Sequence, residues 1–176
     1  MQFENHLPPP AFYDCFALWM AERGIPHSDS VNGVFPDLRT TNGMTWKSIS
    51  ANMPPALPGE FSFATSNTCV RTQGENNAWI ATGGSSFARI LVTEDGEDTW
   101  NAYDTPLASS PNAGAFTVDF RDAQDGIVGG GDLINPTKAA TATSQDGGKT
   151  WTLTNKTARN GSNLRPQLCS RSQPAS

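Results

Sequence analysis

The chain is poor in the residues that carry chemistry. Its 176 residues include only two histidines, His6 and His27, in unrelated contexts, which argues against a Ser-His-Asp triad or a histidine-built zinc site. Its three cysteines, Cys15, Cys69 and Cys169, are far apart, odd in number and without C-x-x-C spacing. Neither a metal site nor a disulfide framework follows from them, and buried free thiols are the expectation. Charge is sparse, at 16% of residues, and the balance of 12 basic against 17 acidic groups leaves a net charge of −5. No stretch clusters Lys and Arg, which excludes a phosphate-binding face for nucleic acid or an anionic membrane. No apolar run reaches the length of a transmembrane helix. The opening "MQFENHLPPPAFYDCFALWMA" has no basic region, and Asp14 and the prolines break its apolar stretch, so it does not read as a signal peptide. The glycines of "IVGGGD" (127–132) lack dinucleotide-fingerprint spacing, and "DAQDG" (122–126) lacks the remaining ligands of a calcium loop. No cofactor and no metal are expected.

What is plentiful is turn chemistry and tryptophan: 16 Gly, 13 Pro and 5 Trp, with 36% hydrophobic residues. This is the composition of an all-β protein. One turn recurs. "SQDGGKTW" (144–151) is echoed by "TEDGEDTW" (93–100) and, more faintly, by "RTTNGMTW" (39–46). The closing tryptophans Trp46, Trp100 and Trp151 lie 54 and 51 residues apart. A second series of small residues, Gly24, Ala78 and Gly126, each preceded by a strand-like run and a polar turn, is spaced by 54 and 48. Two anchors drifting together over three copies define a repeat. In the last copy Phe116, Val118 and Phe120 alternate with polar positions as strand A, Ile127–Gly130 form strand B, 139–144 strand C and "TWTLT" strand D. Four short antiparallel strands in roughly 50 residues are the signature of a propeller blade. The aspartate of each motif accepts hydrogen bonds from its own turn, the glycines tolerate positive φ, and the tryptophan is delivered between sheets.

The motifs resemble the Asp-box, or BNR repeat, S/T-x-D-x-G-x-T-W. Ser144, Asp146, Gly148, Thr150 and Trp151 match it fully. Thr93, Asp95, Thr99 and Trp100 match with Glu97 in place of glycine, and Asn42, Gly43, Thr45 and Trp46 match once one residue is taken as lost. The segments "WIATGG" and "AGAFTVDFRDAQDGIVGGGD", among others, resemble propellers compared with the photosystem II stability/assembly factor and, more widely, the sialidase superfamily. The resemblance covers roughly residues 12–154. It implies an all-β fold: a fragment of an Asp-box β-propeller with about three four-stranded antiparallel blades, at 12–53, 54–107 and 108–156. Residues 1–11 are expected to form an N-terminal extension and 157–176 a disordered tail. Full-length relatives usually have about seven blades and are often exported.

No catalytic set can be assembled. None of the blade arginines has sialidase context, and the two tyrosines, Tyr13 and Tyr103, offer no nucleophile pair with glutamate. The sequence is therefore read as a non-catalytic scaffold or protein-interaction module, assembly-factor-like. The alternative is a partial or inactive relative of sialidase-type glycoside hydrolases. Ligands are expected on the loop face opposite the Asp-box turns, where Asp29, Glu60, Arg89 and Asp132 are the charged candidates for holding a protein partner or a carbohydrate. Self-association is expected through open blade edges, with Phe12 to Trp19 at one end and Val128 with Trp151 at the other.

Overall fold

The structure, a computed structural model, describes residues 2–3, 11–64 and 68–154. Among them strands follow one another in three units. The first holds β1 (Gln2–Phe3), β2 (Tyr13–Met20), β3 (Arg23–Ser28), β4 (Leu38–Arg39) and β5 (Thr45–Ser48). The second holds β6 (Val70–Gln73), β7 (Asn77–Thr82), β8 (Arg89–Thr93) and β9 (Asn101–Asp104). The third holds β10 (Ala113–Phe120), β11 (Gly126–Asp132), β12 (Ala140–Ser144) and β13 (Thr152–Leu153). Strands β6–β9 and β10–β13 form antiparallel meanders in sequence order. In the first unit the β2–β3 and β4–β5 hairpins are joined by the Gly24–Thr40 bridge. Strand β1 runs parallel to β5, with Phe3 opposite Trp46, so the expected N-terminal extension contributes a strand. The expected disordered tail lies outside the described residues.

The last blade is built from longer inner strands than the alternation alone predicts. Strand A begins at Ala113 and B runs through Asp132. Strand D is two residues long, and the Trp151 indole N–H donates to Gly148 O, 2.9 Å away, tying that side chain to the turn.

The blades share one core. Between the second and third, Trp79 is 1% exposed and stacks on Phe120, with ring centroids 3.7 Å apart and planes 6° from parallel. Its Nε1–H donates to Gly147 O at 2.8 Å. This arrangement requires glycine at 148. Its φ is +89°, and a Cβ there would lie 3.2 Å from both rings. The sequence pattern placed its emphasis on Trp100 and Trp151, and Trp79 is the more deeply buried ring. Trp100 is buried, whereas Trp46 and Trp151 are half-buried.

The cysteines correct the sequence reading. Cys15 and Cys69 are joined in a disulfide with Cα atoms 6.1 Å apart, rather than standing as free thiols. Their separation of 54 residues equals the spacing from Trp46 to Trp100, so they occupy the same position in successive blades. Cys15 lies on inner strand β2 and Cys69 immediately precedes β6, so the bond staples the inner edges of two adjacent sheets. An odd cysteine count conceals a pair when the repeat itself brings two copies of one position together.

Candidate functional site

The blades present two faces. On one, the A–B and C–D turns meet: a glycine N–H of each C–D turn donates to the neighbouring A–B turn. The pairs are Gly43 to Glu22 O (2.8 Å), Gly96 to Asn76 O and Gly147 to Gln124 O (both 3.0 Å). Within the turns the same bonds recur. Asp146 Oδ1 accepts from the Thr150 amide at 2.9 Å, its Oδ2 from the Thr150 hydroxyl at 2.6 Å, and Ser144 Oγ accepts from the Gly148 amide at 2.9 Å. Asp95 receives the Thr99 amide and hydroxyl at 2.9 and 2.6 Å, and Thr93 Oγ1 receives the Glu97 amide at 3.0 Å. In the first turn Asn42 Oδ1 accepts from the Thr45 amide and hydroxyl (2.9 and 3.1 Å) with one residue fewer between them, and Thr40 supplies the hydroxyl that Gly43 needs. The Thr99 hydroxyl holds the Asp95 carboxyl below the ordinary carboxylate range. At Asp146 partial burial pushes upward, but the bonds from Thr150, Ser144 and Lys149 outweigh it and bring the group to about 2. These carboxylates are acceptors for their own turns.

Glu97 is the exception. It sits where the other turns place glycine, with φ +79° and a wholly buried side chain. Both carboxylate oxygens lack a hydrogen-bond partner, and the nearest cation, Arg23 Nη2, is 3.9 Å away. Burial pushes its pKa up to about 7, against the pull of Arg23 and Arg39. A folded-state pKa above the ordinary 4.5 means that the fold prefers the protonated form. Its contribution is therefore complete below about pH 4.5 and is lost as pH rises through 7. A displacement from 4.5 to about 7 corresponds to about 3 kcal/mol. Glu97→Gln should remove most of this decline in urea titrations at pH 5 and pH 8, while Glu97→Gly should add about 1 kcal/mol at pH 5 by relieving the left-handed backbone, and more at pH 8, where it also removes the buried ionisable group. A wild-type profile as flat as that of the glutamine variant would refute the assignment.

On the other face lie the B–C loops and the blade connections. The structure brings Glu60 and Arg89 together, 1% and 8% exposed. Glu60 Oε1 accepts from Arg89 Nε at 2.9 Å and from Thr82 Oγ1 at 2.6 Å; Oε2 accepts from Arg89 Nη2 at 2.5 Å and from the Leu57 amide at 2.7 Å. Arg89 Nη2 also donates to Pro55 O at 3.0 Å. The pair thus faces inward and pins the 55–60 connection to β7 and β8. Asp29 accepts from the Ser62 amide at 3.1 Å, holding the same connection to the first B–C loop. Beside it, Asp14 is raised to about 7 by burial and by the neighbouring carboxyl of Asp29. Asp132 stands apart in the third blade, where it accepts from the Ile134 and Asn135 amides at 2.9 and 3.1 Å, and these bonds hold its carboxyl below the ordinary range.

Two features of this half of the molecule were not legible in the sequence. His27 Nδ1 lies 2.7 Å from Asp37 Oδ2, and Asp37 Oδ1 accepts from the Ser28 amide at 2.8 Å. Burial lowers the imidazole pKa, but Asp37 outweighs it and the net direction is upward. Both residues are 0% exposed, so no substrate reaches the pair. The second feature is apolar. Each B–C loop exposes large hydrophobic side chains: Val34 in the first blade, Phe87 in the second, and Leu133 with Ile134 in the third. The only available signal was their position in Pro- and Gly-rich loops, where an apolar residue has no core to enter.

No family model and no curated protein sequence matches the chain. Solved structures do match its fold, among them a structure described as YCF48 bound to D1 peptide, with a TM-score of 0.55 and 19% identity. The chain is a partial β-propeller. The match covers 84% of this chain and 40% of the YCF48 chain, so this propeller segment spans less than half the length of that neighbour. No helix among the described residues is long and apolar enough to cross a membrane.

Proposed function

We propose that this propeller segment is a non-catalytic scaffold that binds an extended protein segment across its loop face, and that its three C–D turns are Asp-box turns serving only the fold. The observation that carries the reading is the row of exposed apolar side chains, Val34, Phe87, Leu133 and Ile134, one loop per blade. Scattered surface hydrophobes are ordinary, but recurrence at the same loop of each blade, beside loops stiffened by proline, suits recognition of apolar side chains on a peptide. The charged candidates support it in a different way. Glu60 and Arg89 satisfy one another and shape the connection, leaving the contact surface to apolar groups and to Asp132. The likeness to YCF48, which is bound to a D1 peptide in its own structure, agrees with a peptide as the class of ligand.

Panning a peptide library against the chain should return an apolar consensus whose binding weakens at least tenfold in a Phe87→Ser, Ile134→Ser variant. Equal binding by that variant would refute the loop face. A fluorogenic sialoside and glycoside panel run alongside should show no turnover. Turnover abolished by changing one carboxylate would establish the hydrolase reading instead.

A further inference from the structure

Of the side chains expected at open blade ends, Phe16 and Leu18 are exposed and Val128 is fully buried. Reactivity depends on a different kind of exposure, that of the backbone in a turn. Two Asn-Gly pairs lie among the described residues, and both are exposed: Asn32–Gly33 at the tip of the first B–C loop and Asn42–Gly43 in the first C–D turn. A third, Asn160–Gly161, falls outside the described residues. Asparagine before glycine is labile, because the glycine nitrogen carries no neighbouring Cβ to obstruct its approach to the asparagine carboxamide. What decides the outcome is how firmly the two reacting groups are held. At Asn42–Gly43 both are held. The Gly43 amide donates to Glu22 O at 2.8 Å and to Thr40 Oγ1 at 2.9 Å. Asn42 Oδ1 accepts from the Met44 and Thr45 amides and from the Thr45 hydroxyl at 3.0, 2.9 and 3.1 Å. At Asn32–Gly33 neither is held. Residues 31–34 form a two-residue hairpin with φ of +53° at Asn32 and +80° at Gly33. Its bonds run between Val31 and Val34 (2.8 and 3.1 Å) and from the Ala56 amide to Gly33 O (3.0 Å). Among the described residues the Gly33 amide and the Asn32 carboxamide make no hydrogen bond, and a Cβ at position 33 would meet nothing within 4 Å.

We propose that Asn32 is a site of spontaneous covalent modification, deamidated by its own backbone with water as the only co-reactant, while Asn42 is protected by its turn. The Gly33 nitrogen gives its proton to water and attacks Asn32 Cγ. The N–Cγ bond forms, the Cγ–Nδ2 bond breaks, and ammonia leaves with a proton returned by water. Water then opens the five-membered imide. Addition at Cγ yields aspartate; addition at the main-chain carbonyl breaks its bond to the Gly33 nitrogen and yields isoaspartate, in which the backbone runs through the side chain. Either product adds a negative charge to the loop tip. Isoaspartate also inserts one carbon into the backbone, which a two-residue turn closed by Val31 and Val34 does not accommodate. The turn opens, and Val34, 46% exposed on the loop face, moves with it. At Asn42 the same attack must first free the Gly43 amide from two hydrogen bonds, which slows it by at least about tenfold. The modification stands on the geometry of the turn and does not depend on peptide binding.

Peptide mapping of the full chain, aged at pH 8 and 37 °C, tests it. Trypsin separates the two pairs, since 24–39 carries Asn32 and 40–47 carries Asn42, each as the sole asparagine of its fragment. In the folded chain 24–39 should gain about 1 Da, with isoaspartate among its products, at least about tenfold faster than 40–47. In urea, where neither turn exists, the two rates should converge. No gain in 24–39, or equal rates in the folded chain, overturns the proposal. So does a gap that persists in urea, since it would then owe nothing to the turns. In the isoaspartate fraction, hydrogen exchange at the Val34 and Ala56 amides should speed up, because both donate to the turn that opens. Unchanged exchange there would overturn the opening of the loop.

Discussion

Arg89→Ala should lower stability by about 3–5 kcal/mol, because it strands the Glu60 carboxylate in a site that water does not reach. In the intact pair each carboxylate oxygen accepts two hydrogen bonds, one of them from the guanidinium. Removing the cation leaves the donors of Thr82 and Leu57, which solvate the charge only in part. The loss is due to the stranded charge more than to the lost attraction. Glu60→Leu combined with Arg89→Met should therefore recover a large share of it, falling short by the acceptors that Thr82 and Leu57 then lack. Equilibrium urea unfolding of the three proteins separates the two contributions. An Arg89→Ala loss under about 1 kcal/mol would show the pair to be solvated and would reopen both residues as ligand contacts.

The disulfide carries an effect of similar size for a different reason. Joining Cys15 to Cys69 closes a 54-residue separation in the unfolded chain, and the loop entropy removed corresponds to about 4 kcal/mol. A Cys15→Ser, Cys69→Ser variant should unfold at a correspondingly lower urea concentration. Reductant should produce the same shift in the parent chain and none in the variant. The consequence is local as well. With the staple cut, the first blade keeps contact with the second through Trp19, whose indole donates to Asn77 O at 2.9 Å, and through Arg23, which reaches Glu75 O and Gly96 O. Fraying should therefore begin in β2 and β3, where hydrogen exchange would register it. Identical midpoints with and without reductant would exclude a stabilising bond.

The amino-acid sequence by itself determined the three turns and the four-strand order of the last blade, since these follow from local rules. Alternation at Phe116, Val118 and Phe120 makes a strand, and Asp-Gly turns followed by Thr-Trp close a hairpin whatever surrounds them. Even the shortened first turn was legible, because Asn42 and Thr45 interact across three residues of chain. Only the tertiary structure decided which side chains meet between sheets. Trp79 finds Phe120 across 41 positions and Glu60 finds Arg89 across 29, while Cys15 joins Cys69 over 54. Such pairs are set by how the sheets and their connections pack; the cysteines do stand one repeat apart, but the repeat alone does not say which equivalent positions touch. The same reason explains why the inward turn of Glu60 and Arg89 could not be read from the chain. A glutamate and an arginine in proline-rich loops read as solvent contacts until the sheets are packed, whereupon they close on each other, while apolar loop residues such as Phe87 and Ile134 stay exposed.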